Sequence, residues 1–170
     1  MARPLVAGDD SRMAETDLLI PAYTSRARRD KQVGNVNTTE VPGLAKALAR
    51  PPVRLPLHFV LTAGQTIDSE VLLPDAVGML LLKSGARKVR DEDRDCTDLW
   101  RCLEVAAAEN VQPSDLPDDP IVGDLGTFLR QHLGRGGRAM EAILRNLTPE
   151  AAAERETRIQ ALLLRVAGPA

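Results

Sequence analysis

The clearest change of pattern along the chain comes at Val53, where apolar positions begin to recur every second residue. Val53, Leu55, Leu57, Phe59 and Leu61 alternate with Arg54, Pro56, His58, Val60 and Thr62. That period is a half-buried strand, and Pro56 assigns it to a sheet edge. Ala63-Gly64-Gln65 supplies a turn, after which Ile67, Val71 and Leu73 face one way. Residues 53–73 therefore read as a β-hairpin. Before it, Asp17-Leu-Leu-Ile-Pro21 is a short apolar run closed by proline, and it reads as one buried strand. Residues 1–15 are polar and aperiodic. Residues 24–40 carry Arg26, Arg28, Arg29 and Lys31 and read as a loop with an edge strand. Pro42 opens a short helix that Pro51-Pro52 ends.

Beyond Pro74 the period changes to that of helices. Ala76 to Arg87 is strongly apolar, and Asp91 to Glu109 carries Cys96, Leu99, Trp100, Leu103, Ala106 and Ala107 on one face. An acidic, proline-rich connector spans Gln112 to Pro120. Helices follow at 121–133 and 138–146, divided by Gly134-Arg-Gly-Gly137. Thr148-Pro149-Glu150 caps a last helix that runs to about Val166. The class is α+β: a small mixed sheet with a β-hairpin, followed by a mostly helical C-terminal bundle. The organisation divides into a sheet region, 1–73, and a helical region, 74–170. The 17–21 strand is expected in one sheet with the 53–73 hairpin, leaving an edge open to association.

Composition narrows the function classes. The 170 residues fit one ordinary domain. Aromatics are only 2% of the chain, so the core has to be aliphatic. A net charge of -2 is no broad cationic footprint for nucleic acid. Cys96 and Cys102 are poorly spaced for a disulfide within one straight helix, and nothing completes a zinc set, so both are expected to be reduced thiols. The first residues lack an apolar signal core and no run is long enough to span a membrane, so a cytoplasmic protein without membrane contact is expected.

The candidate chemistry lies around Lys83. This lysine follows Leu80-Leu81-Leu82, and on the next helix Asp91, Asp95 and Asp98 fall within about 60° of one another. Three like charges on one flank repel, and a plain solvated helix would alternate the signs. A lysine inside such an apolar helix must snorkel or meet an acid, and the helix-turn-helix geometry offers Asp95 or Asp98. The plain reading is a lysine–aspartate pair that ties two helices together. The functional reading is a basic side chain poised to hold a triphosphate, with the carboxylates orienting that lysine or neighbouring groups. His58 is expected on an exposed strand face and His132 near a helix end; neither is assigned to chemistry. Trp100 is assigned to the core.

Lys83 followed by Arg94-Asp95-Cys96-Thr97-Asp98-Leu99 resembles the lysine and Arg-Asp-x-x-Asp-Leu signature of AbiEii-type nucleotidyltransferases, polymerase-β-like proteins of toxin–antitoxin and abortive-infection systems. Thr16-Asp17-Leu-Leu-Ile-Pro resembles the strand that carries their third catalytic acid. Val41-Pro-Gly-Leu-Ala-Lys-Ala-Leu, the hairpin and Asp98-Leu-Trp-Arg-Cys-Leu-Glu follow in the family's order. The resemblance covers residues 16 to about 110. It implies transfer of a nucleotide from an NTP to a tRNA or protein acceptor with Mg²⁺. Asp17 would be a metal-facing catalytic carboxylate, Lys83 would contact the nucleotide phosphates, and Asp95 and Asp98 would complete the catalytic set. Arg26, Arg28, Arg29 and Lys31 would touch the acceptor, unless they are simply a solvated loop. The family's Gly-Ser turn and Asp-x-Asp pair, which grip phosphate and hold the metals, have no counterpart in these residues. Gly8-Asp9-Asp10 does not replace them, because adjacent strand residues point to opposite faces. The chain thus resembles a truncated nucleotidyltransferase, incomplete by itself. The alternative is a non-catalytic binding module that pairs with a separate N-terminal half or an antitoxin. A further reading is an unrelated helical regulatory domain whose Lys83–Asp pairing is purely structural.

Overall fold

A computed structural model of the chain describes residues 3–4, 13–14, 18–22, 31–89, 92–119 and 122–169. The order of elements is β1 (Arg3–Pro4), β2 (Met13–Ala14), β3 (Leu18–Pro21), β4 (Lys31–Val33), β5 (Val36–Val41), α1 (Leu44–Leu48), β6 (Val53–Val60) and β7 (Thr66–Leu73). Then come α2 (Ala76–Val89), α3 (Asp93–Ala108), a 3-10 turn (Pro113–Asp115), β8 (Asp118–Asp119), β9 (Gly123–Asp124), α4 (Leu125–Leu133), α5 (Arg138–Leu144) and α6 (Pro149–Ala167). The α+β class is as the periodicity predicts.

The sheets are arranged differently from the expectation. β5 is the centre of a three-stranded sheet, parallel to β3 and antiparallel to β4. The hairpin does not join it: β6 and β7 pair only with each other, antiparallel, from Val53↔Leu73 to Val60↔Thr66. The turn is closed by Leu61 N–H to the Gln65 carbonyl (2.8 Å) and Gly64 N–H to the Leu61 carbonyl (2.9 Å). The half-buried expectation fails here too. Leu57 is the one partly covered residue in β6, and all of β7 is exposed. The alternation is real, but among the described residues little lies over the apolar face.

The helices make the core. Its buried apolar side chains run from Ala76 to Ala167 and include Leu80, Leu99, Leu103, Leu129 and Ile159, all fully buried. Aliphatic side chains suffice for this core because Leu and Ala at i, i+3 and i+4 interlock between facing helices. α3 is the central helix, in contact with α2, α5 and α6. Thr148 caps α6, accepting the Ala151 N–H, and Pro149 occupies the first turn. Asp124 caps α4 in the same way through the Thr127 N–H.

On its other side α2 meets the Pro42–Leu48 segment. A Cβ at Gly85 would stand 2.4 Å from the Pro42 carbonyl oxygen, and one at Gly78 would touch the Ala47 Cβ at 3.5 Å. These glycines are seven residues apart, on one helix face. Gly43 completes the contact: a Cβ there would stand 3.2 Å from the Leu81 carbonyl oxygen, and its left-handed conformation (φ +77°) would strain a side chain. Asp75 then joins the two ends. It accepts the Gly78 N–H (2.8 Å) and holds Arg50 Nε through both carboxylate oxygens (2.9 and 2.7 Å).

Candidate functional site

Lys83 projects from the middle of α2 and Asp98 from the second turn of α3. Lys83 Nζ donates to Asp98 Oδ2 at 2.7 Å, with both side chains about a third exposed (33% and 34%). The apolar stretch before Lys83 anchors its stem against the core, so the ammonium emerges beside α3. Arg101 approaches the other Asp98 oxygen at 3.8 Å. The hydrogen bond from Lys83 holds the Asp98 carboxyl below the usual carboxylate range. Partial burial opposes this, while the charges of Lys83, Arg101 and Arg94 add to it. Cys102, one turn on from Asp98, is buried, and burial pushes its thiol pKa up. Both cysteines are free thiols, as expected.

Asp95 does not stand beside this pair as an accessible group. It is fully buried (0%), not poised over a cleft. The angular arithmetic gives the reason. The buried face of α3 contains Asp95, Cys96, Leu99, Cys102, Leu103, Ala106 and Ala107. Once Cys102 is included, that arc is rotated toward the acids, and Asp95 falls inside it at about 40° from Leu99, whereas Asp98 lies just outside. Trp100, at the opposite end of the arc, is only partly buried, and the Arg155 guanidinium lies 4.2 Å from its ring centroid.

Asp17, Arg26, Arg28 and Arg29 lie outside the described residues. Lys31 opens β4 opposite Thr38. Among the described residues, no group of three or more His, Cys, Asp or Glu side chains stands close enough to hold a metal ion. Asp95 is buried and Asp98 is engaged by Lys83, so these two carboxylates do not form a Mg²⁺ site. His58 is exposed on the hairpin and pairs with Asp68 (2.6 Å), while His132 stacks on Phe128 at the end of α4. Both sit where their strand and helix positions predict.

Sequence reasoning missed the buried polar residues around α2: Thr38 and Glu40 on β5, and Ser84 and Arg87 on α2 itself. Thr38 and Glu40 lie two apart, so they share one face of the strand, a period-two signal that polar residues do not announce as burial. Two surface grooves lie elsewhere. One, of about 340 Å³, is lined by Arg130, Gln160 and Leu163; the other, of about 460 Å³, by Val53, Leu73, Met79, Val105 and Glu109. Neither is lined by Lys83, Asp95 or Asp98. No helix among the described residues is long and apolar enough to cross a membrane. No protein-family model matches the chain, and no curated protein or solved structure is significantly similar to it.

Proposed function

We propose that the chain is a nucleotidyltransferase-like module of the AbiEii type, acting in a toxin–antitoxin or abortive-infection context. It would present Lys83 to the phosphates of an NTP and would not transfer the nucleotide unaided. The observation that carries this reading is the Lys83–Asp98 pair: an ammonium fixed at the surface by a carboxylate that stays charged, in the order of residues that the resemblance requires. Asp17 would supply one metal-binding carboxylate and the others would come from a separate polypeptide, and the nucleotide would pass to an RNA or protein acceptor. Asp98 takes the part of a positioning residue, and Asp95 contributes through the packing of α3. Isothermal titration with each NTP and Mg²⁺ tests this. Weak binding is expected, lost in Lys83→Ala and kept in Arg158→Ala, whose guanidinium pairs with Glu104 instead. Binding unchanged in Lys83→Ala would overturn it. Complete burial of Asp95 and the open hairpin favour the second reading, a non-catalytic module that works by pairing with an antitoxin or with a polypeptide supplying the missing half.

A further inference from the structure

The β6–β7 hairpin has two unlike faces. Directly opposed residues share a face, so Val53/Leu73, Leu55/Val71, Leu57/Ser69 and Phe59/Ile67 form one side. That side is apolar except for Ser69, and Val53, Leu55, Phe59, Ile67, Val71 and Leu73 are all exposed on it. On the other side the charges are paired within the hairpin, Arg54 with Glu70 and His58 with Asp68. An isolated two-stranded ribbon is marginal in water and gains stability when its apolar face is covered. This face is several hundred Å², at the upper end of what monomers expose.

At the root of the hairpin the apolar face runs on into the 460 Å³ groove, where Val53 and Leu73 meet Met79 and Val105 and where Arg50, Asp75, Glu109 and Asp115 also line the wall. At the other end the tip, Leu61 to Gln65, carries no charge. The patch therefore has a protruding neutral end, a recessed end of mixed apolar and charged lining and a flat apolar middle, a shape that can complement itself across a two-fold axis. We propose that the chain forms a two-fold dimer in which the apolar faces of two β6–β7 hairpins stack antiparallel and the tip of each enters the groove at the root of the other. Two eight-residue strands give each arm a length of about 27 Å, and facing sheets pack about 10 Å apart. The tip of one arm then reaches the root of the other. Phe59 and Ile67 lie over the partner's Leu73 and Val53. The face and groove together bring the buried area into the range of about 1,200 Å² where specific interfaces begin. A net charge of -2 per copy adds little repulsion.

The inference is independent of the nucleotide reading. Sedimentation of the full chain from sub-micromolar to hundred-micromolar concentration tests it. The native chain is expected to dimerise, and the double variant Phe59→Lys/Ile67→Lys to weaken the dimer by on the order of a hundredfold. Both side chains already face water in the monomer, so far-UV circular dichroism should be unchanged. Val60→Lys, on the opposite face and 69% exposed, should leave association within about threefold of native, as rim changes do. Mixed Ala63→Cys and Val105→Cys chains should form an intermolecular disulfide, which places tip in groove. A native chain monomeric throughout, a dimer indifferent to Phe59→Lys/Ile67→Lys, or one broken equally by Val60→Lys would overturn the proposal. NTP titration of the double variant reads the Lys83 site separately, so loss of one result leaves the other standing.

Discussion

Removing either member of the Lys83–Asp98 pair tests how α2 and α3 are held. The partners are 2.7 Å apart and each about a third exposed, so the pair lies between a solvated ion pair and a buried one. Exposed pairs are worth about 0.2–1 kcal/mol after screening, whereas breaking a fully buried pair costs about 3–5 kcal/mol. With a third of each side chain in water, the coupling belongs near the top of the exposed range, about 1 kcal/mol. A double-mutant cycle of Lys83→Met, Asp98→Asn and the combined variant, followed by urea unfolding at neutral pH, isolates that term. The pH dependence has a definite sign. The folded Asp98 carboxyl titrates below its unfolded value of about 3.9, so its stabilisation is complete above that value. It is lost as pH falls through the lowered folded pKa. The coupling should therefore vanish in acid and weaken in high salt. A coupling indistinguishable from zero at neutral pH, or one that persists in strong acid, would refute this account of the α2–α3 junction.

Two further outcomes are expected. Gly85→Ala should destabilise the chain by about 1–3 kcal/mol in thermal or urea unfolding, because its methyl meets the Pro42 carbonyl at 2.4 Å; in a solvent-facing helix the same change stabilises by up to about 1 kcal/mol. Cys102 should resist alkylation near pH 8 in the folded chain and react at once in denaturant, since burial both shields the thiol and raises its pKa; rapid native labelling would contradict the burial.

Local patterns carried the helices well. The spacing of Leu99, Leu103 and Ala106 predicts the buried face of α3, and Thr148-Pro149 predicts where α6 begins, because caps and periodicity are properties of a few neighbouring residues. That Lys83 meets an acid of α3 was also legible, though not which of Asp95 and Asp98, since a short connection makes α2 and α3 neighbours. The burial of Asp95 was not, because it depended on whether Cys102 counts as apolar. The separation of the hairpin from the β5-centred sheet was not legible either. Alternation tells which side of a strand is apolar and is silent about what covers it.

The residues of the main apolar core all lie between Ala76 and Ala167. A segment with its own interior keeps its shape when neighbouring sequence is exchanged, fused or deleted. The helical half therefore carries most of its own interior, although α2 also packs on the Pro42–Leu48 segment. Cleavage ahead of Pro74 should leave a fragment that still melts cooperatively.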